Sequence, residues 1–179
     1  MKPRPVKGLD GARPVEQNAR MILRVRYDEL LSFDTEVRDP WHSVALHDAR
    51  IAAKRVRYVL EILGPTLGDP SDDLHDRAKE IQDILGELHD CDVLGPRLER
   101  LAHELRAQDA LAISQKADDA DGVISATGAA VNSTAHRGLA ILEAAITARR
   151  ALLHRQFLER WEELLVFDVS PLVGELSRS

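Results

Sequence analysis

Residues 46–61 read LHDARIAAKRVRYVLE, a stretch in which apolar and basic side chains each recur with the period of an α-helix. Alanine and leucine, two of the strongest helix formers, fill much of it. The apolar positions share one side of a helical wheel: Ala45, Ala52, Ala53, Val56, Val59, Leu60 and Leu63. The stretch therefore predicts an amphipathic helix from about Trp41 to Leu63, which Gly64 and Pro65 would end.

The same periodicity extends to both sides of this helix. A helix that begins after Pro14 and ends before Pro40 is predicted to precede it. Beyond the turn at 68–73, apolar residues in steps of three and four predict a third helix: Leu74, Ala78, Ile81, Leu85 and Leu88. A fourth helix is predicted to restart at Gly95-Pro96, and a last one to run from about 135 to 165.

Long amphipathic helices joined by short turns predict an all-α fold, an antiparallel helical bundle. We expect a flexible arm at residues 1–13, a bundle domain at 14–166 and a tail at 167–179. The pattern within residues 107–132 is too weak to assign a structure.

Composition narrows the function classes. The single cysteine, Cys91, cannot form a disulfide framework, so a reducing compartment fits. The basic N-terminus lacks an apolar run, and no stretch reaches the roughly 18 apolar residues of a membrane span. We expect a cytoplasmic protein without a membrane partner. A net charge of −6 argues against nucleic acid as well, unless basic groups are gathered locally.

Such a local gathering occurs on the helix quoted above. His47, Arg50, Lys54 and Arg57, here called the basic stripe, follow the spacing i, i+3, i+7, i+10. They lie within an arc of roughly 80° over roughly 15 Å of helix axis. Like charges at this spacing repel each other. A polyanion would relieve the repulsion, because arginine grips phosphate with two parallel hydrogen bonds. The nearby Tyr58 could donate a further one.

Other predicted helices offer matching groups. Arg20 and Arg24 share one edge of the first helix, and Arg149 and Arg150 lie in the middle of the last one. A file on the third helix comprises His75, Lys79, Gln82 and His89. A bundle could bring these groups to one groove beside the basic stripe.

Two segments resemble the signatures of a known family. HDARIAAKRVRYVLE at 47–61 resembles the signature helix of the CHAD domain, the conserved histidine α-helical domain. KEIQDILGELHDCDV at 79–93 looks like the second signature of that family. The final helix, with Arg150, Phe157 and the WEEL of 161–164, is similar to its looser closing pattern. The resemblance covers roughly residues 15–165.

The resemblance implies binding of inorganic polyphosphate by basic residues on a central surface. His47, Arg50, Lys54, Arg57 and Tyr58 match the binding helix, and Lys79 matches a basic position ahead of the second signature. Some members of the family are associated with polyphosphate granules, and on their own they are not known for catalysis. We therefore expect a binding protein that uses no cofactor.

One departure from the family concerns length. The usual CHAD domain has two related four-helix halves, each with a basic helix, whereas this chain shows one such helix. We therefore expect half of a double four-helix bundle. A homodimer whose twofold axis replaces the internal repeat would supply the other half.

Two alternatives come from other classes of protein. The tripeptide Leu-His-Asp occurs three times, at His47, His75 and His89, so a metal-dependent phosphohydrolase is one. Neighbouring residues on a helix point about 100° apart, however, so one such pair cannot simply chelate one ion. The second alternative is a helical scaffold that binds no polyanion. Nucleic acid is an unlikely partner, because only Tyr58 could stack bases near the stripe.

Overall fold

The computed structural model describes residues 2–174, and within them it contains helices and no strand. The all-α prediction is thus confirmed. The α-helices span α1 (Val15–Leu31), α2 (Ser43–Leu63), α3 (Pro70–Lys116), α4 (Ser133–Leu165) and α5 (Ser170–Val173). Short 3₁₀ turns occur at Glu36–Arg38, Gly64–Thr66, Asp121–Val123 and Ser125–Ala129.

The chain divides into two compact units. Among the described residues, the first unit holds 2–89 together with 152–174, and the second unit is Asp90–Ala151. The predicted limits of arm, bundle and tail stay predictions, and residues 175–179 of the tail lie outside the described residues. In the first unit, Leu172 of α5 is fully buried. The backbone N–H of Arg4, within the predicted arm, donates a hydrogen bond to Glu29.

The predicted break at Gly95-Pro96 is wrong, because α3 runs without interruption through Pro96. A proline inside a helix removes one backbone hydrogen bond and costs about 3 kcal/mol. Buried side chains on both sides of Pro96, among them Cys91, Leu98 and Ala102, hold the flanking turns against the rest of the second unit. Their burial offsets the cost of Pro96 inside the helix. The sequence pattern alone gives no indication of this burial.

The first predicted helix ends earlier than expected, at Leu31 rather than just before Pro40. The Ser32 hydroxyl donates to the carbonyl of Glu29, a local bond that competes with continued helix. Beyond it, the Asp34 carboxylate accepts a hydrogen bond of 2.9 Å from the indole Nε1 of Trp161. The chain therefore turns after α1 to meet the end of α4.

The core of the first unit gathers the large side chains of α1 and the end of α4. Tyr27, Phe157 and Trp161 are almost completely buried. The Tyr27 hydroxyl donates to the carbonyl of Leu164 at 3.1 Å, so its polar end is satisfied inside the core. His154 is also buried, with Nε2 at 2.9 Å from the carbonyl oxygen of Val37.

The buried Tyr27 hydroxyl predicts a loss of stability in alkali. Burial, with a contribution from the charge of Asp28, raises the pKa of Tyr27 to about 12. The unfolded chain releases this proton near pH 10, so the stabilisation is complete below pH 10 and is lost between about pH 10 and 12. We expect the free energy of unfolding to fall by roughly 3 kcal/mol across that range, measured by urea denaturation. Tyr27→Phe should remove this part of the pH dependence, and an unchanged slope would contradict the assignment.

The second unit contains the later part of α3 and the earlier part of α4, which run antiparallel. Arg150 of α4 donates from Nε to Asp92 of α3, and Asp109 of α3 contacts His136 of α4 at 2.8 Å. Asp109 also accepts the backbone N–H groups of Val131 and Asn132, ahead of the α4 N-terminus. Burial would raise the pKa of Asp109, but the bond to His136 and the two backbone bonds hold it below its ordinary value.

Candidate functional site

The basic stripe of α2 lies against α3 in an antiparallel register. The rings of His47 and His89 are 5.2 Å apart between centroids, and the Arg50 guanidinium lies over Gly86. At the other end of α2, Glu61 Oε1 is 3.6 Å from His75 Nε2. Each step of three or four residues along α2 is thus matched by an equal step backward along α3.

This register extends the stripe onto the second helix. It places Lys54 level with Gln82, and Arg57 level with Lys79. Both lysines are exposed, whereas Arg57 and Gln82 are half-buried. We call the basic stripe together with Lys79, Gln82 and His89 the α2–α3 face. The file that the sequence predicted on the third helix therefore does meet the stripe of the second.

Gly86 makes room for the guanidinium of Arg50. A Cβ atom built on Gly86 would lie 3.4 Å from Arg50 Nε and 3.8 Å from its Nη2. Glycine inside a helix costs roughly 0.5–1 kcal/mol relative to alanine, so the position is unfavourable for α3 by itself. An added Cβ would just touch the guanidinium of Arg50, and a larger side chain at this position would displace it.

Lys54 and Arg57 share the ring of Tyr58. Lys54 Nζ lies 5.4 Å and Arg57 Cζ 4.8 Å from the ring centroid, distances typical of cation–π interactions. Tyr58 is 42% exposed, so its hydroxyl is accessible from solvent. Because the ring contacts both cations, it limits their conformational freedom and keeps them at the surface.

Three polar atoms of the α2–α3 face are buried without a hydrogen-bond partner in the described structure: Arg50 Nε, Arg57 Nε and Gln82 Oε1. Arg57 Nε does lie 3.3 Å from Glu61 Oε1, but the pair lacks hydrogen-bond geometry. A buried polar group without a partner costs about 1–3 kcal/mol, and more when it is charged. An anion bound to the two guanidinium groups would supply acceptors for them, whereas Gln82 Oε1 is itself an acceptor and needs a donor.

Carboxylates lie at the ends of the basic stripe and not between its cations. Asp48 is 3.2 Å from His47 at one end, and Glu61 pairs with Arg57 at the other. Within residues 2–174, neither Arg50 nor Lys54 forms an ion pair with a carboxylate. The middle of the stripe therefore keeps its positive charge.

Arg20 and Arg24 of α1 are less available for an anion than the cations of the basic stripe. The Arg20 guanidinium donates twice to Glu16, at 2.8 and 3.1 Å, and also to the carbonyl of Pro171. The Arg20 guanidinium thus ties α1 to α5 and is already engaged by protein acceptors. Arg24 lies one helical turn further along α1 and is half-buried.

Arg149 and Arg150 belong to the second unit. Arg150 is 8% exposed and donates from Nε to Asp92 at 2.5 Å, so it is a buried, paired cation. Arg149 is exposed. Their predicted convergence with the basic stripe stays a prediction.

Arg55, next to Lys54 in sequence, has a structural role that the sequence did not reveal. It points away from the basic stripe and donates to the buried carboxylate of Glu29 at 2.8 Å. The same carboxylate accepts a bond of 2.8 Å from Arg26, and it is 1% exposed. This cluster ties α2 to α1 and fixes the rotation of α2 that turns the basic stripe outward.

Gly86 was not singled out by the sequence either, although a glycine in the middle of an apolar heptad pattern is an available signal. We expect Gly86→Leu to displace the Arg50 guanidinium, and to weaken anion binding about as much as Arg50→Ala does. In an Arg50→Ala background, Gly86→Leu should have little further effect, because its action depends on Arg50. Binding isotherms of the four proteins test this, and independent, additive losses would contradict it.

Other parts of the first unit are weaker candidates for a binding site. A cavity of about 260 Å³ is lined by two arginines, Arg77 and Arg160, and by four carboxylates, Asp73, Asp76, Glu80 and Glu163. Glu163 forms ion pairs with both arginines and Glu80 forms one with Arg160, so both positive charges of the cavity are paired within it. Among the described residues, no three His, Cys, Asp or Glu side chains are placed to hold a metal ion. None of the helices described carries an apolar segment long enough to cross a bilayer.

A family model described as CHAD domain matches residues 2–99, which include α1, α2 and the part of α3 that lies along α2. No curated protein and no solved structure matches the chain.

Proposed function

The chain belongs to the CHAD domain family, and we propose that it binds inorganic polyphosphate along the α2–α3 face. CHAD domains are associated with polyphosphate binding or related phosphate chemistry. The residues that carry the proposal all lie within the matched segment.

The proposal rests on the position of Arg50 and on the lack of a hydrogen-bond partner for its Nε among the described residues. Its guanidinium lies on Gly86 with Nε unpartnered, in line with Lys54 and Arg57. The three cations extend over about 10 Å of helix axis, and His47 brings the file to about 15 Å. An extended chain of phosphates can contact all of them at once, whereas a single phosphate can reach only one or two. The length of this file favours a polymer over a small anion.

The proposal requires that the protein prefer polyphosphate to other polyanions, and not only that it attract negative charge. At about 0.15 M salt, exposed charges are screened beyond about 8 Å, so only close contacts contribute much. We expect labelled long-chain polyphosphate to bind more tightly than duplex DNA at equal phosphate concentration. The acidic remainder of the surface repels a wide duplex, and phosphate contacts alone are strongly salt-dependent. Fluorescence anisotropy in both titrations tests this, and equal affinities would defeat the proposal.

We further propose that the protein holds polyphosphate without cleaving it. The same samples, incubated with Mg²⁺ or Mn²⁺ and assayed for orthophosphate, should release no more than polymer alone. Orthophosphate release that rises in proportion to the protein concentration would favour the phosphohydrolase alternative.

A further inference from the structure

The second unit has an apolar face that the binding function does not use. On α3, Leu94 and Leu101 are 40% and 43% exposed, and on α4 Leu142 is 44% exposed. Leu105, Gly138 and Ala145 lie beside them on the same helices. Isolated exposed leucines are ordinary, but a contiguous group on one face marks an interaction surface.

The wheel positions of these residues show that the two helices contribute to one surface. On α3, Leu94 and Leu101 are displaced by roughly 60–80° from the buried Leu98 and Ala102, which lie on the same side of the helix as Asp109, the partner of His136 in α4. On α4, Leu142 is displaced in the same rotational sense from Arg150, which faces α3. In an antiparallel pair, equal displacements of this kind bring both sets to the same side. The opposite side of α3 carries polar residues instead, among them Glu99 and Arg106.

The charges around Leu101 are arranged symmetrically. Arg97 lies four residues before it and Glu104 three residues after it, both exposed and both on the edge of the apolar face. Residues seven apart on one helix are separated by about 10 Å, so these two side chains do not neutralise each other. A second α3 that runs antiparallel past Leu101 would place its Glu104 opposite Arg97, and its Arg97 opposite Glu104.

We propose that this face binds a second copy of the chain, with a twofold axis passing close to Leu101. Two antiparallel hairpins then form a four-helix bundle whose centre contains Leu94, Leu101 and Leu142 of each copy. Two Arg97–Glu104 ion pairs, one on each side of the axis, fix the register. The charge pattern favours a second copy because it is complementary to itself. A face meant for an acidic or a basic partner would carry one sign.

The size of the face fits this partner. Residues 94–111 of α3 cover about 26 Å, and two packed helices are about 20 Å wide. The projected area is roughly 500 Å², and side-chain relief makes the accessible area larger. A stable specific interface buries about 600–1,000 Å² on each partner.

Sedimentation equilibrium of the full chain tests the proposal. The parent, with a chain mass of 19.9 kDa, should sediment as a dimer in the micromolar range. Leu101→Glu should raise the dimer dissociation constant at least about a hundredfold, because it places two unpaired charges at the centre of the interface. Leu101 is half-exposed in the single chain, so helicity by circular dichroism should be unchanged.

Charge exchange provides the decisive comparison. Arg97→Glu and Glu104→Arg should each weaken the dimer about tenfold, because each places like charges opposite one another. The double variant should recover the parent constant to within about threefold, since the pairs re-form with reversed signs. Glu99→Arg, on the opposite side of α3, is the matched control and should leave the dimer intact. A monomeric parent at about 100 μM, or a double variant no better than the single ones, would overturn the proposal.

Discussion

The triple variant Arg50→Ala/Lys54→Ala/Arg57→Ala is expected to bind long-chain polyphosphate at least about a hundredfold more weakly than the parent. Each charged contact contributes on the order of 1 kcal/mol or more, and the three lie along one continuous anion path. A loss of about 3 kcal/mol corresponds to roughly a hundredfold in the dissociation constant. Anisotropy titrations with labelled polymer at about 0.15 M salt measure it.

A matched control separates the site from net charge. Lys2→Ala/Lys7→Ala/Arg13→Ala removes the same number of positive charges from exposed positions in the N-terminal segment. We expect this control to lose much less affinity. The stripe variant should keep its fold, because the substituted side chains lie about 100° around α2 from the buried Ala49, Ala53 and Val56, and alanine favours helix. If both triple variants lost affinity equally, binding would follow overall charge and the site assignment would be wrong.

The second large effect concerns stability. Glu29→Ala is expected to lower the free energy of unfolding by about 3–5 kcal/mol, because it leaves two arginines near the core without their shared carboxylate. Glu29 accepts bonds of 2.8 Å from both Arg26 and Arg55 and a longer bond from the Arg4 backbone. Urea denaturation monitored by circular dichroism gives the change.

An exposed pair on the same helix is the control for this change. Glu16→Ala removes a carboxylate that pairs with Arg20 at the surface, where such pairs contribute about 0–1 kcal/mol. A Glu29→Ala effect as small as that of Glu16→Ala would show that the cluster adds little to the fold. Arg55→Ala gives a further comparison, since it should reduce stability while removing none of the cations of the basic stripe.

Stability and binding are thus assigned to opposite sides of one helix. Arg55 faces α1 and the buried Glu29, whereas Arg50, Lys54 and Arg57 face α3 and solvent. Four cations within eight residues look alike in composition. Their roles differ because the helix turns by about 100° per residue, so adjacent side chains meet different surroundings.

The sequence was a good guide to α2 and a poor guide to the middle of α3. The period of apolar residues, the Gly64-Pro65 end signal and the basic stripe all lie within some twenty consecutive residues, and each was recovered in the structure. At Pro96 the local rule predicted a break, but packing within the second unit kept the helix continuous. Likewise, the sequence offered Arg150 as a candidate binding residue, but in the structure it is buried and donates to Asp92, which lies 58 residues away in sequence.

The sequence by itself determined the all-helical class and the line of cations on α2, because helix periodicity depends only on residues within a few turns of each other. The tertiary structure decided which cations remain available. It placed Gly86 beneath Arg50, turned Arg55 toward Glu29, and set the histidines of two helices side by side. These outcomes depend on helix register and rotation, which are fixed by contacts between residues far apart in the chain.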